Sequence, residues 1–252
     1  MKFASLGSGS KGNATVVKTS DTCLLIDCGF NRKHTRARLQ SLQLDLNDLD
    51  GIVVTHEHSD HAKGVTLVCE SAKVPFYSTY GTAKVAGWLD HPLWQCIDSH
   101  EAFELKGLKV QPVVVPHDSQ EPVQFVIEDG QWRFGCLSDL GAVTPHVVEA
   151  YQQCDGLFLE ANHDVQLLQQ GPYPPSLKRR VGGDYGHLNN HQAADLLSRI
   201  YWSGMKHFLA SHISEKNNQL ALVKSVLAPA MGCDSSDVDA AEQDSASGWR
   251  AL

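Results

Sequence analysis

The segment Ile52-Val53-Val54-Thr55-His56-Glu57-His58-Ser59-Asp60-His61 runs from a β-branched apolar stretch straight into three histidines and an aspartate. Imidazole nitrogens and a carboxylate oxygen suit a borderline divalent cation such as zinc, and packing alone seldom gathers them. In an extended or turning backbone His56 and His58 project to one side, while Asp60 and His61 follow where the chain can bend into a helix. This cluster cannot fill two coordination spheres, so a dinuclear centre needs donors at other strand ends. Three apolar runs supply them: Val113-Val114-Val115-Pro116 leads to His117, Gly135-Cys136-Leu137-Ser138 to Asp139, and Phe208-Leu209-Ala210-Ser211 to His212. Each alone is weak, since a lone His or Asp after a strand is more often a turn or a helix cap. Together, and in this order, they read as a metal centre.

Strands must carry these residues and helices must return the chain between them. Apolar and β-branched runs predict strands near 2–6, 14–18, 23–27, 51–55, 109–115, 123–128, 132–138, 156–160 and 206–211. Helical patterns fall near 32–42, 62–71, 80–89, 144–151, 190–202 and 216–227. This mixed order points to an α/β or α+β layered fold. A chain of 252 residues hides roughly 70% of its unfolded surface. Without an internal linker, residues 1–228 read as one domain; 229–252, acidic and poor in apolar residues, read as a disordered tail. No apolar run approaches the ~20 residues of a membrane helix, and Met1-Lys2-Phe3 leads into Gly and Ser instead of a secretory stretch. Seven scattered cysteines with no C-x-x-C pair fit a reduced cytoplasm. The net charge of −8 gives no overall pull toward nucleic acid or anionic lipid, so an anionic substrate has to be held locally.

The order of motifs resembles the metallo-β-lactamase fold superfamily, whose hallmark H-x-H-x-D-H stands here as His56-x-His58-x-Asp60-His61. The resemblance implies a four-layer αββα sandwich with the metals at one edge between the sheets. Matched motif to motif, it implies that His56, His58 and His117 hold one cation and Asp60, His61 and His212 the other, with Asp139 bridging them. Asp27, in Leu24-Leu25-Ile26-Asp27-Cys28-Gly29, matches the position that supports the metal loop from behind the ligands; an Asp capping a turn is the plainer reading. The flavin-linked di-iron oxidoreductases of this fold carry Glu where His58 stands, which argues against redox iron. Two divalent ions per chain are implied, zinc or manganese before iron, since His/Asp sets accept all three.

Further motifs narrow the resemblance. Ser5-Leu6-Gly7-Ser8-Gly9-Ser10-Lys11-Gly12-Asn13-Ala14, Glu160-Ala161-Asn162-His163-Asp164, Gly186-His187-Leu188-Asn189-Asn190 and Ser211-His212-Ile213-Ser214-Glu215 look like the bacterial YycJ/WalJ group, described as duplex DNA 5′-to-3′ exonucleases. The Gly/Ser loop is either an anion cradle or a plain hairpin turn. The resemblance favours Ser8, Ser10 and Asn13, with Asn162, as phosphate contacts. His187 stands where the transfer-RNA 3′-processing enzymes of this fold carry a histidine at the scissile phosphate or leaving group; a capping or core histidine is the alternative. Lys178-Arg179-Arg180 could grip phosphates or be a solvated face. The interval from Asp139 to His212 is too short for the inserted domain of the larger RNA and DNA nucleases of the superfamily.

The resulting expectation is a cytoplasmic, dinuclear phosphodiester hydrolase that acts on DNA as an exonuclease, with metal-generated hydroxide as nucleophile. Asp60 and His187 stand closest to the chemistry. The alternatives are a hydrolase of a small cyclic or dinucleotide phosphodiester and, further off, a thioester or β-lactam hydrolase. The acidic surface leaves a partner or a homodimer interface as ways to place the substrate.

Overall fold

Phe3 to Gly7 are all buried, the pattern of a strand covered on both faces. The computed structural model describes residues 1–252, which form two compact units: 1–114 with 119–132 and 242–252, and 115–118 with 133–241. The chain leaves the first unit near residue 132 and returns to it at its end. No helix is long and apolar enough to cross a membrane.

The first unit contains β1 (Lys2–Gly7), β2 (Ala14–Lys18), β3 (Cys23–Ile26), α1 (Arg32–Ser41), β4 (Gly51–Val53), α2 (Ser59–Ala62), α3 (Val65–Ala72), β5 (Phe76–Ser78), α4 (Tyr80–Ala86), β6 (Trp94–Cys96), β7 (Phe103–Leu105), β8 (Leu108–Val114) and β9 (Val123–Glu128). Strands β1, β2 and β3 pair antiparallel, and β3 to β6 continue the sheet in parallel. Strands β7, β8 and β9 form an antiparallel meander. The core beneath the first sheet is built from alternating strand residues such as Leu6, Val16, Leu25 and Ile52, closed by Leu39 of α1 and Val68 of α3. The helix predicted over 62–71 is broken in two at Gly64. There a Cβ would strike the Phe30 carbonyl and crowd the Cys28 side chain, and Gly64 N–H bonds to Cys28 O.

The second unit contains β10 (Arg133–Leu137), α5 (Pro145–Ala150), β11 (Gly156–Glu160), α6 (Val165–Gln170), α7 (Pro175–Val181), α8 (Asn190–Ile200), β12 (His207–Ser211), α9 (Leu220–Met231) and β13 (Asp239–Ala240). Its four strands are parallel and in the order β10-β11-β12-β13, with Leu137 opposite Leu159 and Glu160 opposite Ser211. Parallel strands end on the same side, which brings Asp139, Glu160 and His212 to one edge. Asn189 caps α8 in a capping box with Gln192. The last helix starts at Leu220, not 216. Asn217 and Asn218 instead tie their side chains to Ser214, Ala161, Asn162 and Asn190, which competes with helical bonding.

The disordered tail expected from 229 is corrected by the structure. Helix α9 runs to Met231, β13 pairs with β12, and β14 (Arg250–Ala251) pairs antiparallel with β1. Few apolar residues suffice because they are well placed: Val238 and Ala241 are buried and Trp249 packs on the core of the first unit. Polar residues add specific bonds, as where Gln243 accepts from Lys11 N–H and donates to Gly12 O.

Candidate metal centre

In the first unit the turn from β4 into α2 gathers His56, His58, Asp60 and His61. The rings of His56 and His58 lie 4.6 Å apart between centroids, and those of His56 and His61 4.3 Å. Asp27, at the exit of β3, accepts from Thr55 N–H at 2.8 Å and contacts His61 Nδ1 at 2.7 Å. Thr55 Oγ1 reaches His56 Nδ1 at 2.9 Å. Both histidines are therefore held through Nδ1, and Nε2 is the nitrogen each offers a cation.

The backbone of this turn is held from two sides. Asn13 N–H donates to Asp60 O and Cys28 N–H donates to His61 O. The chain leaving β3 passes so close that a Cβ on Gly29 would collide with the Asp60 carbonyl, so only glycine fits. Asn13 is oriented by its own carbonyl, which accepts from Gly9 N–H at 2.8 Å; its amide nitrogen then lies 3.1 Å from His61 Nε2. An electropositive N–H in that position marks His61 Nε2 as the ring's lone-pair nitrogen, the form a metal requires.

The second unit assembles a group of its own. Asp139, Glu160, His187 and His212 offer donor atoms that all lie within 4.8 Å of one another. His212 Nδ1 is 2.9 Å from Asp139 Oδ1 and 3.1 Å from Glu160 Oε1; His187 Nδ1 is 2.8 Å from the same Glu160 oxygen. The second Glu160 oxygen accepts from Leu188 N–H at 3.0 Å and Leu140 N–H at 3.3 Å. His117 joins through its ring, 5.4 Å from that of His187, and its Nδ1 is fixed on Gly186 O at 3.1 Å.

Charge in this group is balanced by protons. Burial opposes ionisation of Glu160, yet the neighbouring His187 and His212 hold it down to about 2. Burial works against charge on His212 too, and is outweighed by Asp139 and Glu160, which raise it to about 10. His187 is likewise raised against its burial, by Glu160 first. Two buried carboxylates that draw protons onto two imidazoles form an electrostatic niche that a divalent cation can fill, with the donor types of zinc and manganese sites. His163, close by in sequence, is different: burial drives it down to about 4, so it is a neutral imidazole.

Asp27, Asp139 and His212 have φ of 59°, 52° and 48°, a left-handed backbone at three strand ends. Side chains in that region are strained by roughly 1–3 kcal/mol each, and here the strain turns each residue out of its strand toward its group.

The proposed phosphate contacts divide. Ser8 Oγ donates to Asn13 Oδ1, Asn13 also bonds toward Asp60, and Asn162 Nδ2 donates to His212 O at 2.9 Å, all while nearly buried. These three brace the loops that carry the candidate ligands. Lys178 Nζ donates to Gln169 O and Arg180 pairs with Asp118, next to His117. Ser10 and Arg179 remain exposed. Glu160 escaped the sequence reading as a site residue. Its signal was a carboxylate closing the apolar run Gly156-Leu157-Phe158-Leu159, the same pattern that marked Asp139.

Comparison with known proteins agrees with this architecture. A family model described as the beta-lactamase superfamily domain matches residues 22–213. The exodeoxyribonuclease YycJ of Bacillus anthracis is 32% identical over 231 residues, covering 89% of this chain and 86% of the relative. The exodeoxyribonuclease WalJ of Streptococcus pneumoniae is 30% identical over 223 residues, covering 86% and 83%. The metallo-beta-lactamase fold protein YhfI from Bacillus subtilis superposes with a TM-score of 0.75 at 15% identity, over 97% of this chain and 98% of that one. With strand-end histidines and carboxylates in the same αββα fold, the chain belongs to the β-lactamase superfamily and, within it, to the group of YycJ and WalJ.

Proposed function

We propose that this metal-dependent hydrolase is a DNA exonuclease, removing nucleotides from the 5′ end of a duplex in the cytoplasm with two divalent cations, zinc or manganese before iron. The observation that carries the reading is the Glu160–His187 pair beside Asp139 and His212, in a chain alignable over most of its length with exodeoxyribonucleases. His56, His58 and His117 would hold one cation, Asp60, His61 and His212 the other, and Asp139 both. Bound there, divalent cations supply Lewis acidity toward phosphoryl oxygens and lower the pKa of a coordinated water.

The chain's own residues do the rest. Glu160 holds His187 through Nδ1 and favours its protonated form, so Nε2 is the atom that carries a proton to the departing oxygen. The His187 side chain is 21% exposed, against 4% for His212, which lets it reach a substrate. Ser10 and Arg179 are exposed polar groups able to orient the phosphate chain.

The test compares a linear 5′-phosphorylated duplex with a covalently closed circle, using manganese- or zinc-loaded protein and an Asp60→Ala blank. Consumption of the linear duplex alone, by the unmutated protein alone, is the expected result. If neither DNA is touched while a small phosphodiester is hydrolysed, the polymer assignment fails.

A further inference from the structure

Helix α1 is the most basic element of an acidic protein. Its ten residues, Arg-Lys-His-Thr-Arg-Ala-Arg-Leu-Gln-Ser, hold four of the chain's 21 lysines and arginines and no carboxylate. Thr35 and Leu39 are buried, so the opposite side faces outward. Arg32, Lys33, Arg36 and Gln40 lie at spacings of one, four and eight residues, which puts them along a single face. That face lines a cavity of about 630 Å³ whose other wall includes Asn47 and Ser71.

Two charges in this groove are available. Arg32 donates to Ser71 Oγ at 3.0 Å, a neutral partner that leaves its charge uncompensated. Lys33 has no hydrogen-bonding or ionic partner. The one carboxylate of the lining, Asp45, is taken by Arg36 at 2.9 Å and Gln40 at 3.2 Å. Arg38 points away and donates to Leu6 O and Gln243 O. The cavity has the volume of a small-molecule pocket, but its lining is charged and amide-bearing, with Ala37 and Leu46 alone apolar. Such a wall suits a hydrated polyanion.

Its place in the chain gives it a role. Gly29 lies against the Asp60 carbonyl, and Arg32 follows three residues later. Three residues span at most about 11 Å, so the basic face starts within roughly three base steps of the His56–His61 turn. In the tripeptide Lys178–Arg180, Arg180 is paired with the Asp118 carboxylate and Lys178 bonds to Gln169 O, whereas in the groove Arg32 meets only the Ser71 hydroxyl and Lys33 has no partner.

We infer that the α1 groove is a second contact for the nucleic-acid substrate, gripping phosphates of the strand that leads away from the reacting end through Arg32 and Lys33. This rests on the proposed DNA reading. It makes the groove the local counterweight to a net charge of −8.

The experiment measures binding of metal-loaded protein to a fluorescent 5′-phosphorylated duplex, protected at its ends by phosphorothioate linkages, across a salt series. Each phosphate contact contributes about 0.9 to the slope of log affinity against log salt. The Arg32→Gln, Lys33→Gln double variant is therefore expected to flatten that slope by about 1.8 and to weaken binding ~10–100-fold at low salt. The charge reversal Lys33→Glu, at a side chain with no partner to lose, is expected to move both readings the same way. A Lys84→Gln, Lys224→Gln control, with the same loss of charge on α4 and α9, is expected to leave the slope within about 0.5 of the parent. A groove variant with the parent's slope, or a control that flattens it equally, overturns the inference alone. An unmutated protein that cleaves small phosphodiesters but binds no duplex at any salt overturns the DNA reading and this inference with it.

Discussion

Glu160 Oε1 serves two imidazoles at once, and replacing it by an isosteric amide separates its electrostatic role from its shape. In Glu160→Gln, His187 loses the carboxylate that raises it, so its pKa falls. Two results are expected: turnover of a phosphodiester drops ~10²-fold, the usual scale of a general acid, and the alkaline limb of the pH–rate profile moves to lower pH. Unchanged turnover would remove His187 from the chemistry. Behind the first-unit ligands, Asp27→Asn exchanges the acceptor of His61 Nδ1 and Thr55 N–H for a weaker one. Metal affinity, read by competition with a chelating dye, is expected to fall ~10–100-fold. At this scale the sequence was legible wherever a donor type stood at a strand end, as at His56, His117 and Asp139. It did not show the bracing by Ser8, Asn13 and Asn162, because side chains that brace a loop and side chains that meet a phosphate have the same chemistry. The bonds Asn13 and Asn162 make to Asp60 and His212 O come to light only in the fold.

Elements decide where those residues point. All nine strands foreseen from apolar runs are present, while the strands that went unseen, such as β5, β6 and β7, are three residues long and too short for an alternation to show. Helices α6 and α7 escaped because Gly and Pro punctuate them, as in Gly171-Pro172-Tyr173-Pro174-Pro175. The C-terminal segment was the largest misreading. Composition measures how much apolar surface a segment has, but not whether an unpaired sheet edge waits for it. Removing 242–252 takes away β14 and Trp249, and is expected to destabilise the protein by about 1–3 kcal/mol, a Tm drop of roughly 3–10 °C in a thermal melt. An unchanged Tm would mean the segment contributes nothing to the first unit. The close passage of β3's exit against the metal turn gives another measure: Gly29→Ala is expected to cost about 1–3 kcal/mol by overpacking and to lower metal affinity through displacement of Asp60.

For the whole molecule, ligand linkage and burial set the observable behaviour. Metal that binds only the folded chain, present at a hundredfold over its Kd, stabilises by about 2.7 kcal/mol, so chelation is expected to lower Tm by roughly 5–10 °C. No shift on chelation would argue against a resident cation. The seven cysteines form no disulfide and five of them are buried; burial pushes Cys23 up to about 11 and Cys28 and Cys154 up to about 12. Native protein should therefore react with a thiol reagent at Cys96 and Cys233 alone, and at all seven once unfolded. The left-handed residues Asp27, Asp139 and His212 reach further than their own loops. Glycine or asparagine would relax the backbone of each but take a buried partner from His61, His212 or Glu160, so a laboratory selection for heat resistance alone should leave these three positions untouched and find its gains elsewhere.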